Sequence, residues 1–263
     1  RRSRKTRSSS PVRYSWWGKP ARSSYNSGFM FLIRAALVVL STIYWGTLSL
    51  FASFFDSTGR MQMSCSRRWA KQLLSIGGVR VTLDGIDKIK PEASYVIASN
   101  HLSYYDTPVI LASIPVQFRF LAKRGLFQIP FLGTHLARAG HIPIPRADPR
   151  AALKVMTLAA ETIRTRGISM LIFPEGGRSP DGELQSFKDG VTYIGIKSGA
   201  PIVPIALVGS REILPFGSGR IQPGAVTLRI GDPIDTAALS LKERAAVTER
   251  IREEIAAMIA KGR

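Results

Sequence analysis

From Phe29 to Phe55 the chain reads FMFLIRAALVVLSTIYWGTLSLFASFF, and Arg34 is the only charged residue in it. No other feature restricts the fold so sharply. The uncharged part, Ala35 to Phe55, spans about 30 Å as a helix, close to the thickness of one bilayer core. A secretory signal has a shorter apolar stretch and a small-residue cleavage site. A soluble domain seldom hides so long a helix that is apolar all round. Membrane association is therefore expected. Asp56-Ser57-Thr58-Gly59 then reads as a turn. After it, Met61, Cys65, Trp69, Leu73 and Ile76 recur at helical spacing beside Arg67, Arg68 and Lys71. A basic amphipathic helix carrying a Trp suits an anionic headgroup layer. Residues 28–77 are thus expected to form a membrane-associated helical hairpin. Basic residues flank both ends, so charge sets no orientation, and spanning and one-sided insertion both stay open.

Ahead of that run, residues 1–27 hold Arg1, Arg2, Arg4, Lys5, Arg7, Arg13, Lys19 and Arg22 and no acid. Rich in Ser, Pro and Gly as well, they read as a disordered basic arm. The whole chain of 263 residues has a net charge of +19. Such a balance calls for an anionic partner: nucleic acid, an anionic phospholipid membrane or a phosphorylated substrate. The adjoining apolar run favours membrane phosphate, so no nucleic acid is expected. The single cysteine, Cys65, excludes an intrachain disulfide and a Cys-based zinc site, and reads as a small apolar filler. Three scattered histidines make a poor metal site, so no metal is expected, and His135 and His141 read as structural.

Residues 78–263 change character. Short β-rich runs at 79–83, 94–99, 118–122, 141–144, 168–173, 202–208 and 225–230 alternate with helical stretches at 108–113, 130–139, 149–166, 189–198 and 240–260. That alternation predicts one α/β domain with a mixed, mostly parallel sheet flanked by helices.

Within it, SNHLSYYDTP, Ser99 to Pro108, follows a buried-type strand. In open α/β sheets ligands bind beyond the carboxyl ends of strands. Thr107-Pro108 reads as an N-cap with Pro at the first helical position. His101 then lies in the loop and Asp106 at the helix mouth. One continuous helix would leave the two side chains about 140° apart. A loop folding back onto the helix brings the carboxylate to one imidazole nitrogen instead, and the other nitrogen faces the cleft. That is the histidine–carboxylate half of a catalytic triad. A capped polar turn fits the same residues.

FPEGGRSPDG, Phe173 to Gly182, also follows an apolar strand. Gly176 and Gly177 allow close backbone approach to a ligand, and Arg178 offers a fork suited to phosphate. FLAKRGLFQIPFLG adds Lys123 and Arg124, as a substrate surface or as a solvated edge. No G-x-S-x-G elbow and no phosphate loop of the G-x-x-x-x-G-K-[ST] type occurs, which argues against a serine esterase and a P-loop NTPase.

The order of these blocks resembles the glycerolipid acyltransferase family, typified by lysophosphatidic acid acyltransferases. The N-H-x4-D motif matches Asn100, His101 and Asp106. The F-x-A-K-x-x-L block with its I-P and Gly matches Phe120, Ala122, Lys123, Leu126, Ile129, Pro130 and Gly133. F-P-E-G-T-R-S matches Phe173, Pro174, Glu175, Gly176, Arg178 and Ser179, with F-K-x-G at Phe187, Lys188 and Gly190. The apolar V-P block matches Val203 and Pro204. The likeness covers residues 80–210. It departs at Gly177, where Thr is usual, and at Gly125, where many members have Glu.

The resemblance implies a membrane-bound O-acyltransferase of phospholipid biosynthesis. It would move a fatty acyl group from acyl-CoA or acyl carrier protein, a co-substrate, to lysophosphatidic acid, with no cofactor. His101 would be the base and Asp106 its orienting group. Asn100, Lys123, Arg124, Glu175, Gly176, Gly177, Arg178 and Ser179 would serve substrate binding. Since such thioesters are made in the cytosol, the catalytic domain belongs on the cytosolic face of a membrane, here the inner membrane of a bacterium. The same chemistry on glycerol 3-phosphate, a lyso-ornithine lipid or another lysophospholipid is the near alternative. A non-catalytic membrane-binding protein is the remote one.

Overall fold

The sheet forms where the sequence concentrates β-branched and aliphatic residues in short runs. The computed structural model describes residues 24–145, 148–215 and 217–262, so most of the basic arm lies outside the described residues. The strands are β1 (Val79–Asp84), β2 (Val96–Ser99), β3 (Phe118–Lys123), β4 (Ile142–Ile144), β5 (Ser169–Ile172), β6 (Ile202–Val208) and β7 (Gly224–Ile230). They make one sheet in the order β1-β7-β6-β2-β5-β3-β4. Every neighbouring pair is parallel except β6 with β7. This is the mixed, mostly parallel sheet read from the sequence.

β2 is buried along its length between β5 and β6, and its side chains alternate between two cores. Ile97 faces α2 (Arg60–Gly77) and α3 (Asp106–Ser113), among Leu74, Val109 and Ile110. Val96 and Ala98 face α5 (Pro149–Arg166), α6 (Gly190–Ser198) and α8 (Arg244–Ala260), among Ile163, Ile194 and Ile251. Helices thus cover both faces of the sheet. α4 (Leu132–Arg138) and α7 (Ser210–Ile213) are shorter connections.

α1 (Ser24–Ala52) is the one helix among the described residues long and apolar enough to cross a membrane. It lies along the domain. A polar stripe at Ser41, Trp45 and Ser49, spaced four apart, faces inward. Ser41 Oγ and Trp45 Nε1 donate to Gln72 Oε1 at 2.9 and 2.6 Å, and Trp69 Nε1 donates to Thr42 Oγ1 at 3.1 Å. Ser49 Oγ lies 3.0 Å from His135 Nδ1, and Arg138 donates to Ser53 at the far end. A side chain at Gly46 would collide with the Phe131 ring, which closes α1 onto α4. The outer face leaves Phe29, Leu32, Leu40, Ile43 and Phe51 exposed, and Leu126, Ile129 and Phe131, between β3 and α4, are exposed as well.

α2 differs from its expected role. It is packed between α1 and α3 and buries Gln62, Met63, Ala70, Leu73 and Leu74 rather than a single stripe through Met61 and Trp69. The Arg67 guanidinium lies 2.7 Å from the carbonyl oxygens of Ile114, Pro115 and Val116, so it closes the end of α3 instead of facing headgroups. His141 Nδ1 accepts the Phe120 amide at 3.0 Å, and burial pushes its pKa down to about 3. That imidazole stays neutral and structural.

Candidate active site

Two loops leave the carboxyl ends of the adjacent parallel strands β2 and β5, and the expected residues sit on them. His101 Nδ1 is 2.8 Å from Asp106 Oδ2. A carboxylate oxygen only accepts, so Nδ1 carries a proton, and in the neutral ring the lone pair is on Nε2. The His101 side chain is 18% exposed and Asp106 is fully buried. Asp106 Oδ2 also accepts the amides of Leu102 and Ser103 at 2.7 and 2.8 Å, so one oxygen holds the turn and the imidazole together. The amide bonds of a polar turn and the histidine–carboxylate contact thus occur together in this stretch.

The local start of α3 differs from the expected Thr107 cap. The helix begins at Asp106, with Tyr105 as an N-cap that offers no side-chain bond. The Asp106 carboxylate takes the amides ahead of the helix, and Val109 N makes the first intrahelical bond, to Tyr105 O at 3.0 Å. Pro108 sits in the first turn, where a missing N–H removes no helical bond.

Asn100 is wholly buried. Its Nδ2 donates to Leu207 O at 3.0 Å and its Oδ1 accepts Leu207 N at 2.7 Å. The side-chain amide thus replaces one step of the β2–β6 ladder. It fixes the loop to β6 and is turned away from the cleft, a departure from the substrate contact expected of it.

Glu175 ties the two loops. Oε1 accepts His101 N at 2.6 Å and Oε2 accepts Gln185 N at 3.1 Å. Burial holds this carboxyl above the usual glutamate range, against the opposing pull of the Gln185 and His101 amides. Ser179 is also fully buried. Its amide donates to His101 O at 2.9 Å and its hydroxyl donates to Asp181 Oδ1 at 2.7 Å, which again positions the loop and does not face the cleft. Phe173 stacks on the His101 ring with centroids 4.0 Å apart and planes 14° apart. Nothing in the motif spacing singles out that contact, although an aromatic residue ending the strand beside the histidine loop was a signal.

Gly176 has φ 76°, a left-handed conformation that favours glycine. A Cβ there would come within 2.8 Å of Lys188 Nζ, and one at Gly177 within 3.8 Å of Lys123 Nζ. Two ammonium groups from different elements therefore flank the glycine pair, and among the described residues neither forms an ion pair. Arg178 lies with its guanidinium carbon 3.5 Å from the centroid of the Tyr104 ring. Lys123 and Arg124 are exposed at the end of β3. The arrangement joins a hydrogen-bonded imidazole to a turn ringed by cations. It can take a proton from a hydroxyl and hold an anionic group nearby. Among the described residues, no cluster of three or more His, Cys, Asp or Glu could hold a metal.

Known proteins resemble this chain in sequence and in fold. An acyltransferase family model matches residues 80–208. A 1-acyl-sn-glycerol-3-phosphate acyltransferase of Pseudomonas aeruginosa is 32% identical over 199 residues, covering 74% of this chain and 76% of that protein. A chloroplastic 1-acyl-sn-glycerol-3-phosphate acyltransferase of Arabidopsis thaliana is 36% identical over 157 residues, 59% of this chain and 44% of that protein. The chain thus spans less than half the length of that plant relative. The crystal structure of the 1-acyl-sn-glycerophosphate (LPA) acyltransferase PlsC from Thermotoga maritima shares the fold, with a TM-score of 0.77 over 90% of this chain and 96% of that one at 24% identity.

Proposed function

The chain belongs to the acyltransferase family that includes the 1-acyl-sn-glycerol-3-phosphate acyltransferases, and on that premise we propose that it acylates the free hydroxyl of lysophosphatidic acid to give phosphatidic acid. The observation that carries this is the 2.8 Å contact between His101 Nδ1 and Asp106 Oδ2, on a partly exposed imidazole beside the cationic turn. His101 Nε2 takes the hydroxyl proton as the alkoxide oxygen attacks the thioester carbonyl. Asp106 holds the tautomer and stabilises the imidazolium. The tetrahedral intermediate collapses with cleavage of the C–S bond, and the thiolate leaves and regains the proton from His101. The donor is acyl-CoA or an acyl carrier protein. Arg178, Lys123 and the Gly176–Gly177 backbone hold the acceptor phosphate, with Arg124 at the rim.

The membrane-bound character rests on α1. Its contacts run from Phe31, with Arg220 5.8 Å from its ring centroid, to Ser49, whose Oγ lies 3.0 Å from His135 Nδ1. A helix held along so much of its length cannot stand upright in a bilayer without drawing the domain in with it. α1 is therefore read as lying in one leaflet, its apolar outer face in the lipid and its polar stripe on the protein. The catalytic face then sits at the cytosolic surface, where thioesters are made, against anionic phospholipid.

The test is CoA release from a long-chain acyl-CoA by detergent-purified protein, with and without lysophosphatidic acid, beside His101→Ala. Acceptor-dependent release abolished in the variant supports the reading. Acceptor-independent release would mean a thioesterase. Release only with another lysolipid would keep the chemistry and change the acceptor. No release with either donor type would refute the enzyme.

A further inference from the structure

Tyr104 is an exposed tyrosine in a loop that is otherwise largely buried. Its neighbours Ser103 and Tyr105 are buried, whereas Tyr104 is 64% exposed. Solvent exposure of a large aromatic ring at the mouth of a cleft invites a reason. The ring carries the guanidinium of Arg178 at 3.5 Å, well inside the roughly 6 Å reach of a cation–π contact. The two residues come from different loops, one after β2 and one after β5.

We propose that Tyr104 is a positioning residue for the acceptor phosphate: its ring fixes the plane in which Arg178 presents its N–H fork. The inference rests on the lysophosphatidate reading above. The five N–H donors of a guanidinium lie in its plane. Contact with the ring engages a face of that plane and so sets the direction in which the N–H edges point, the direction that matters for bidentate recognition of phosphate. A lysine at the same place would present a rotatable point charge and would gain no plane from the ring. Because Tyr104 lies between His101 and Asp106, the phosphate grip and the base are set by one short loop. The distance from phosphate to attacking hydroxyl is then fixed by that loop rather than by the flexible arginine stem.

The experiment is a kinetic double-mutant cycle on the full chain in detergent, with acyl-CoA saturating and lysophosphatidic acid varied. Tyr104→Leu keeps bulk and loses the ring face. It should raise the acceptor KM about fivefold, with kcat changed less than twofold and the donor KM unchanged, in line with exposed cation–π strengths. Tyr104→Phe keeps the ring and should retain the acceptor KM within about twofold. In an Arg178→Met background, Tyr104→Leu should raise KM no further, since coupled residues show non-additive effects. An unchanged KM in Tyr104→Leu, or full additivity with Arg178→Met, overturns the inference while leaving the acyltransferase reading intact. A loss in Tyr104→Phe as large as in Tyr104→Leu overturns it too, because the hydroxyl would then be the working group. Wild-type protein without lysophosphatidate-dependent release overturns both.

Discussion

Replacing Glu175 with Gln removes a charge with almost no change of shape, and the two loops of the site respond to it in opposite ways to the fold. The amide has one acceptor oxygen where the carboxylate has two. It keeps the shorter bond from His101 N at 2.6 Å and places its NH2 against Gln185 N, the 3.1 Å partner. Losing a charge-assisted bond costs about 1.5–3 kcal/mol, and making the retained one neutral costs about 1 kcal/mol. Removing a half-buried charge regains desolvation. Since burial outweighs the amide bonds in the raised pKa of Glu175, the regained term offsets much of the loss in global stability. At neutral pH the melting temperature should therefore shift by only a few degrees, at about 2–4 °C per kcal/mol for a domain this large. Loop geometry gets no such compensation. With tenfold in rate equal to about 1.4 kcal/mol, kcat should fall by roughly 10- to 100-fold, with acceptor KM little changed. The pH dependence adds a second readout. A carboxyl with a raised folded pKa contributes stability that is complete below its unfolded pKa and is lost as pH rises through the folded value. Wild type should thus gain stability on going from neutral toward acid conditions, a gain Glu175→Gln lacks, so the variant compares worst at low pH. Thermal unfolding across pH and steady-state CoA release measure both. Unchanged kcat, or a tenfold rise in acceptor KM at intact kcat, would refute the argument; the second result would mean that Glu175 touches the acceptor.

Asn100→Leu should lower the melting temperature by roughly 4–24 °C, because it strands the buried N–H and C=O of Leu207 at about 1–3 kcal/mol each; differential scanning fluorimetry reads this directly. Arg67→Met should cost about 2 kcal/mol of stability by uncapping the carbonyls after α3, yet leave binding to anionic vesicles at the wild-type level. Gly176→Ala puts a methyl 2.8 Å from Lys188 Nζ at a φ of 76°, and should raise the acceptor KM more than it lowers stability, as measured by titrating lysophosphatidic acid.

Local order was legible where local physics decides it. All seven strands lie within two residues of the apolar runs that announced them, because β-branched clustering and flanking Gly and Pro act over short range. The His101–Asp106 contact was legible because five residues of turn can close on themselves. The antiparallel placement of β7 against β6 was not, since pairing direction depends on where the chain travels between strands. Nor was the duty of Asn100, whose partner is 107 residues away and is a backbone, which leaves no mark on the sequence. The Thr107-Pro108 signature misled because the helix starts earlier, at Asp106, after a Tyr105 cap with no side-chain bond, while the Asp106 carboxylate holds the Leu102 and Ser103 amides ahead of it. α2 misled for a related reason. A helix packed on two sides buries two faces, and a single-stripe reading sees only one.

The Asn100–Leu207 clasp also sets a clock. With 107 residues between its halves and synthesis at about 5–20 residues per second, the histidine loop waits roughly 5–20 s for its anchor to be made. α1 leaves the ribosome well before either. Under the membrane-bound acyltransferase reading proposed above, the apolar helix is therefore made before the site is complete, and seating at a lipid surface precedes catalysis.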